Sequence, residues 1–326
     1  MNSFEFYLLK TDEGPVDPSR LLDTLRKEGW IRHHQADPTR FIYRNDDTGV
    51  LFQVLISLGH DEALDAEANE GNEAESIEPD GDSEPAELAP VCLLIPIGCP
   101  SFFGREAIRA AERMAKAVGL ELSAGGDAGH DRAATPEDLI GAWERENQKG
   151  AFLLASEGKL DVWPAEKADA WRRYGEARAA LQENLAAEGV HVPRLQAARH
   201  EGAVKTLCIW REGTPAVFPE TDLVLVERER ERKGLIFSRR VAEHGLVSGA
   251  WLRDLLGRHA EARESPARLL IFRGPCLPQE VAARLEVLDL EPVENARRTD
   301  LLGVVDFDPA GEGEAGKMTQ PEGQNQ

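Results

Sequence analysis

Apolar and polar positions in the first 58 residues follow the periods of a strand, a helix and a hairpin. Phe4 to Lys10 is a short strand-like run, and Leu21, Leu22 and Leu25 give Pro18 to Lys27 one apolar helical face that stops near Gly29. Phe41 to Arg44 and Val50 to Ser57 read as two strands of a hairpin. Its turn, Asn45-Asp46-Asp47-Thr48-Gly49, has the residue types a turn needs, because Asn and Asp bond their own backbone and Gly accepts positive φ.

The pattern stops at Asp61 and resumes at Val91 with a strand, a Gly-Cys-Pro loop and a helix from Phe103 to Val118, where Ile108, Ala111, Ala115 and Val118 fall at helical spacing. Pro136 to Asn147 reads as a helix and Ala151 to Ala155 as a strand. Ala165 to Ala187 reads as a long helix with a stripe of Trp171, Tyr174, Leu181 and Leu185. Beyond Ala203 the expected strands are Val204 to Arg211, Ala216 to Val226, Leu235 to Ser238, Arg268 to Phe272 and Leu301 to Phe307, with helices over Ala250 to His259 and Gln279 to Leu288.

These elements predict an α+β protein of two or three small mixed-sheet units. The expected divisions are a strand-helix-hairpin unit over 1–58, a disordered acidic linker or insertion over 59–89, an α/β unit with a long helix over 90–200, a mixed-sheet domain over 201–308 and a disordered tail over 309–326. Leu93 to Cys99 and Leu269 to Cys276 echo each other, each ending a strand in Gly and placing a Cys before a helix. Repeated strand-helix units of this kind suggest ferredoxin-like, split strand-helix-strand arrangements.

Charge changes the picture once it is divided along the chain. The net charge of −21 includes twelve acids and no Lys or Arg in residues 61–87; removing these and the net three negative charges of 308–326 leaves −6 on the remainder. Leu64 and Ile77 are the sizeable apolar residues of 61–87, too few to offset the entropy of ordering it. With no concentrated basic surplus, nucleic acid is not the expected partner. No run approaches the roughly 18 apolar residues of a membrane span, and the first residues lack a basic and apolar leader pattern, so the expected compartment is the cytoplasm.

Four cysteines, at 92, 99, 208 and 276, form no Cys-x-x-Cys pair, and His33-His34 supplies no four-ligand set; no metal and no cofactor is expected. Cys99 is the sharpest catalytic candidate, because a thiol just before a helix lies near the positive end of the helix dipole. Cys276, between Pro275 and Leu277-Pro278, has the same local setting. His244 is the candidate base, and Glu220 and Asp222 beside Pro219 are paired carboxylates.

Two strings suit a protein partner. Glu227 to Lys233 alternates acid and base, so a strand there would align Arg228, Arg230 and Arg232 on one face, either shielding a sheet edge or presenting an arginine row to an acidic partner. Trp210 and Phe218 flank a Glu-Gly turn and would be cross-strand core partners or an exposed aromatic hot spot. The functional expectation is a non-enzymatic protein-interaction or assembly component. The alternative is an enzyme using Cys99, or His244 with a carboxylate, in a pocket between domains.

Overall fold

The structure, a computed structural model, describes residues 3–10, 23–24, 31–33, 39–56, 91–124, 133–233 and 238–309. The acidic segment 59–89, the tail beyond Pro309, the expected strand at Leu235 to Phe237 and most of the expected helix at Pro18 to Lys27 lie outside the described residues. The fold is mixed α+β, with several small sheets. The described residues of 1–44, 50–97 and 103–150 form one unit, and those of 45–49, 98–102 and 151–326 form a second. Among the described residues no helix is long and apolar enough to cross a membrane.

Period-two alternation builds the sheet of the first unit. Its strands are β1 (Ser3–Lys10), β2 (Ile31–His33), β3 (Arg40–Arg44), β4 (Leu51–Ile56), β5 (Val91–Pro96) and β6 (Leu120–Ser123), in the order β2-β3-β4-β5-β1-β6. Neighbours are antiparallel throughout. Phe41 and Tyr43 on β3, Phe52, Val54 and Ile56 on β4 and Val91, Leu93 and Ile95 on β5 are all buried, every second residue in turn. Strands β5 and β6, joined by α1 (Phe102–Val118), flank β1, so the split strand-helix-strand arrangement suggested by the pattern is present here. The boundaries expected at 58 and 90 fall inside this one sheet, because β4 and β5 pair directly.

Helix α1 buries Phe103, Ala107, Ile108, Ala111 and Ala115. Helix α2 (Pro136–Ser156) starts with a reciprocal cap: the Thr135 hydroxyl donates to Asp138 Oδ2 at 2.7 Å and accepts from the Asp138 N–H at 3.2 Å. Gly104 has a packing reason, since a Cβ there would lie inside the van der Waals surface of the buried Trp143 ring. The Trp143 indole N–H donates to the Pro96 carbonyl at 3.1 Å. Residues 151–155, expected to be a strand, instead continue α2, with Phe152 and Leu153 exposed. The run Ala-Phe-Leu-Leu-Ala carries no alternation, and an unbroken apolar run does not tell helix from strand.

In the second unit, β8 (Gln196–His200), β9 (Ala203–Arg211), β11 (Leu223–Lys233), β12 (Ser238–Ser248) and β15 (Ala296–Thr299) form a sheet in the order β12-β11-β9-β8-β15. Glu201 and Gly202, with φ of 50° and 83°, make the two-residue turn between β8 and β9. Strands β9 and β11 run parallel because the chain between them leaves for another sheet, β10 (Ala216–Pro219) beside β14 (Leu269–Phe272) and β13 (Glu261–Arg263). The expected single strand from Ala216 to Val226 is therefore two strands in two sheets. Short parallel strands β7 (Asp161–Val162) and β16 (Val304–Val305) pair with each other. Ala198, Leu207, Leu223 and Leu246 form a buried cluster with Leu225 and Ala296 packed against it.

Helix α3 (Ala165–Ala186) spans nearly the expected range and buries Trp171, Tyr174, Leu181 and Leu185, so the aromatic stripe is core. The turn 45–49 belongs to this unit. Its Asn45 side chain accepts from the Asp47 N–H at 3.0 Å, Gly49 takes φ +79°, and Asp47 accepts from Arg178 at 2.5 Å and Arg194 at 3.0 Å. The remaining helices are α4 (Gly249–Leu256) and α5 (Gln279–Glu286).

Candidate functional site

One corner of the second unit fastens three elements around a cleft of about 1090 Å³. Thr206 on β9 and Asp222, just before β11, bond reciprocally: the Thr206 N–H and hydroxyl donate to Asp222 Oδ2 at 2.7 and 2.8 Å, and the Asp222 N–H donates back to Thr206 Oγ1 at 2.8 Å. Lys167, in the first turn of α3, adds its ammonium to the same oxygen at 2.6 Å while lying 4.5 Å from the centre of the Trp163 ring. Trp163 is itself held by an indole hydrogen bond to the Val204 carbonyl at 2.9 Å, which ties the start of α3 to β9.

Helix α4 is anchored to the same corner. The Ser248 hydroxyl accepts from the Trp251 N–H at 3.4 Å as the cap, and the Gly249 N–H donates to the Asp222 carbonyl at 2.8 Å. Glycine is required at 249, because a Cβ would overlap the Thr221 carbonyl oxygen. This places Arg253, one turn further on, in the cleft wall, where one guanidinium nitrogen donates to the Phe218 carbonyl at 2.9 Å. Half-burial lowers the pKa of Arg253, with the Glu220 carboxylate acting in the opposite direction. No carboxylate among the described residues forms an ion pair with Arg253.

The charges on the cleft floor neutralise each other. Burial works against the Asp222 carboxylate, but hydrogen bonds from Lys167 and Thr206 outweigh it and hold its pKa below the ordinary range. Cys208 behind the floor is buried, its thiol pushed up to about 12 by burial, and its sulfur lies 3.9 Å from Thr221 Oγ1. A carboxylate so strongly held ionised is a poor proton acceptor at neutral pH, and a neutral thiol is a poor nucleophile. Polar side chains remain on the walls and rim: those of Lys205, Glu166, Glu220 and Asp254 line the cleft with no side-chain hydrogen bond or ion pair to described residues.

The candidates drawn from the sequence are dispersed. Cys99 is completely buried, and burial together with the Asp300 carboxylate raises its pKa rather than lowering it. The N–H and hydroxyl of Ser101, just before α1, are taken by Asp306 at 2.8 and 2.6 Å, so a fixed carboxylate occupies the position where a thiolate was expected to benefit. His244 is exposed on β12 and shares a smaller cleft of about 570 Å³ with the exposed Cys276, Glu212 and Glu229, but not with Cys99. Burial raises the pKa of Glu212 there, against the pull of Arg228 and Arg230. Glu220 and Asp222 lie on the large cleft, where Asp222 is committed to Lys167 and Thr206.

Trp210 and Phe218 are both buried and meet edge-on at 5.2 Å between ring centres, across two sheets rather than within a hairpin. Burial removes them from any partner-binding surface; they are core. The arginine row also turns inward. Strand β9 stops pairing with β11 at Glu227, and beyond it Arg228 donates to the carbonyls of Leu285 and Leu288 at 2.7 and 2.9 Å and to Glu243 at 2.6 Å. Arg230 adds bonds to Leu285 at 2.8 Å and Glu243 at 3.2 Å. These two arginines therefore add donors to the Leu285 carbonyl in the last turn of α5 and the Leu288 carbonyl just beyond it, where a cation also meets the negative end of the helix dipole. Arg232 lies on β11 opposite Arg239, and its side chain is outside the described residues.

Arg253, Lys167 and Thr206 were missed by sequence reasoning. Each sits in an ordinary amphipathic helix or strand with no motif around it, and only the fold brings them together. Among the described residues no three His, Cys, Asp or Glu side chains gather as metal ligands. Comparison of the chain with protein-family models, curated proteins and solved structures finds no match in any of the three.

Proposed function

We propose that the chain is a non-enzymatic cytoplasmic protein-interaction or assembly component, and that the large cleft of the second unit is where it holds a segment of its partner. The observation that carries this reading is the division of charges within the cleft. The floor network of Lys167, Asp222 and Thr206 is internally satisfied, while Arg253 and Lys205 on the walls form no ion pair with a carboxylate among the described residues. A catalytic site needs a group poised to exchange a proton or attack, and the floor offers neither. A binding site needs a rigid frame with unengaged polar groups, which the walls supply. At about 1090 Å³ the cleft has room for several residues of an extended chain.

The test is native co-purification of the tagged full-length protein, compared with an Ala170→Trp variant. Ala170 lies on α3 and lines the cleft, so an indole there projects into it and obstructs an occupant while leaving the helix intact. The expected result is a stoichiometric partner, identified by mass spectrometry and sizing, that is lost from the variant. A lone wild-type monomer, or equal capture by both proteins, would refute the reading.

A further inference from the structure

Three arginines line the cleft, and two are neutralised within the chain: Arg173 pairs with Asp169 at 2.9 Å and Arg268 with Glu264 at 3.1 Å. Among the described residues, the hydrogen-bond partner of the Arg253 guanidinium is the Phe218 carbonyl, at 2.9 Å. A guanidinium carries five N–H donors in a planar fork, so one bond to a carbonyl leaves most of the fork open to the cleft. Half-burial withdraws hydration from this charge, and the carboxylates near it act from a distance with no ion pair among the described residues, an arrangement that a directly bonded incoming anion relieves. The bond to Phe218, together with the tie between α4 and Thr221–Asp222, fixes the fork before any ligand arrives.

Resting on the reading of this cleft as a docking site, we infer that Arg253 anchors a carboxylate presented by an extended peptide segment of the partner. The planar fork matches a carboxylate with two parallel hydrogen bonds. A phosphate dianion would carry about twice the charge into a wall where Glu220 and Asp254 act on Arg253 while Glu264 and Arg268 offset each other, so the repulsion of those two carboxylates favours the singly charged group. The unpaired Glu220 and Asp254 also give a basic side chain flanking that carboxylate a place to pair, which suits a peptide better than a small free acid.

A paired peptide array tests this directly: each random nonapeptide is printed twice, with Glu and with Gln at its centre, and probed with full-length wild-type protein. Hits are then measured in solution by fluorescence anisotropy. The expected result is a preference of more than about tenfold for Glu over Gln in the wild type, collapsing to near parity in Arg253→Met, with Arg253→Lys between them. Circular dichroism establishes that the variants are folded, and the wild-type Glu and Gln comparison stands without any variant. Free glutarate supplies the other source of carboxylate: competition only at millimolar levels supports a peptide occupant, whereas saturation at micromolar glutarate overturns it. Inorganic phosphate outcompeting glutarate would also overturn the assignment. Equal binding of both peptide forms sinks the carboxylate inference while leaving the docking reading intact. Failure of every peptide, together with Ala170→Trp capturing the partner normally, sinks both.

Discussion

Replacing Arg228 with Met should destabilise the second unit by about 3 kcal/mol. The Arg228 side chain is only 4% exposed and holds Glu243 and two carbonyls at the end of α5, at 2.6, 2.7 and 2.9 Å. Removing one partner of a buried ion pair costs about 3–5 kcal/mol, because the other charge is left without its counter-ion. The Glu243 side chain is 34% exposed, and Arg230 remains to cover it and the Leu285 carbonyl, which places the expectation at the lower end; the Leu288 carbonyl loses the Arg228 hydrogen bond outright. With a urea m-value of about 2 kcal/mol/M, the midpoint of the second unit falls by about 1.5 M. Arg230→Met, whose side chain is 24% exposed, should cost only about 1 kcal/mol. The assay is urea unfolding followed by tryptophan fluorescence and far-UV circular dichroism.

The same pair has a pH signature. Hydrogen bonding from Arg228 is the main cause holding the Glu243 pKa below its ordinary value. A depressed folded pKa means that the stabilisation is complete above the unfolded value of about 4.3 and is lost as pH falls through the folded value. The gap between wild type and Arg228→Met should therefore be widest at neutral pH and narrow below about pH 4. A gap that stays constant down to pH 3, or equal losses for Arg228→Met and Arg230→Met, would refute the account of Arg228 as a buried counter-ion and helix cap.

Two further outcomes test the packing. Of the four thiols, Cys276 is exposed, Cys99 and Cys208 are buried, and Cys92 is half-buried with its pKa pushed up to about 11 by burial; a disulfide reagent on the native protein at pH 8 should label one thiol rapidly, lost in Cys276→Ser. Rapid labelling of Cys99 would contradict its burial and revive the thiol-enzyme alternative. Gly104→Val should lower the thermal stability of the first unit by about 2–3 kcal/mol, because the new side chain collides with the Trp143 ring. An unchanged melting temperature would show that α1 and α2 have room the structure denies them.

Much of the fold was legible because local chemistry and tertiary packing agree. The Asn45–Gly49 turn, the helix from Ala165 and the strand at Val91 each carry a local signal that burial then uses. The chain was misread where the local signal is neutral. Ala151 to Ala155 has no period, and its place in α2 goes with tertiary packing: a Cβ on Gly150 would come within 2.7 Å of Ile97, and Ala151 is fully buried. Trp210 and Phe218 do meet, but through a chain that changes sheets at Pro215, and sequence spacing does not encode which sheet a strand joins.

The candidate site was less legible for a different physical reason. Arg228 stands in an alternating charged strand and looks available; Arg253 stands in a short amphipathic helix and looks unremarkable. Their roles are reversed because availability depends on acceptors distant in sequence. The carbonyls at and just beyond the end of α5 lie 57 and 60 residues from Arg228 and consume its donors, whereas among the described residues Arg253 finds one carbonyl, 35 residues away, and no carboxylate in an ion pair. Both side chains carry the same charge and the same fork. What separates a structural arginine from a recognition arginine in this protein is the number of donors that the fold leaves unanswered, and that number becomes defined only when the helix ends and sheet corners are in place.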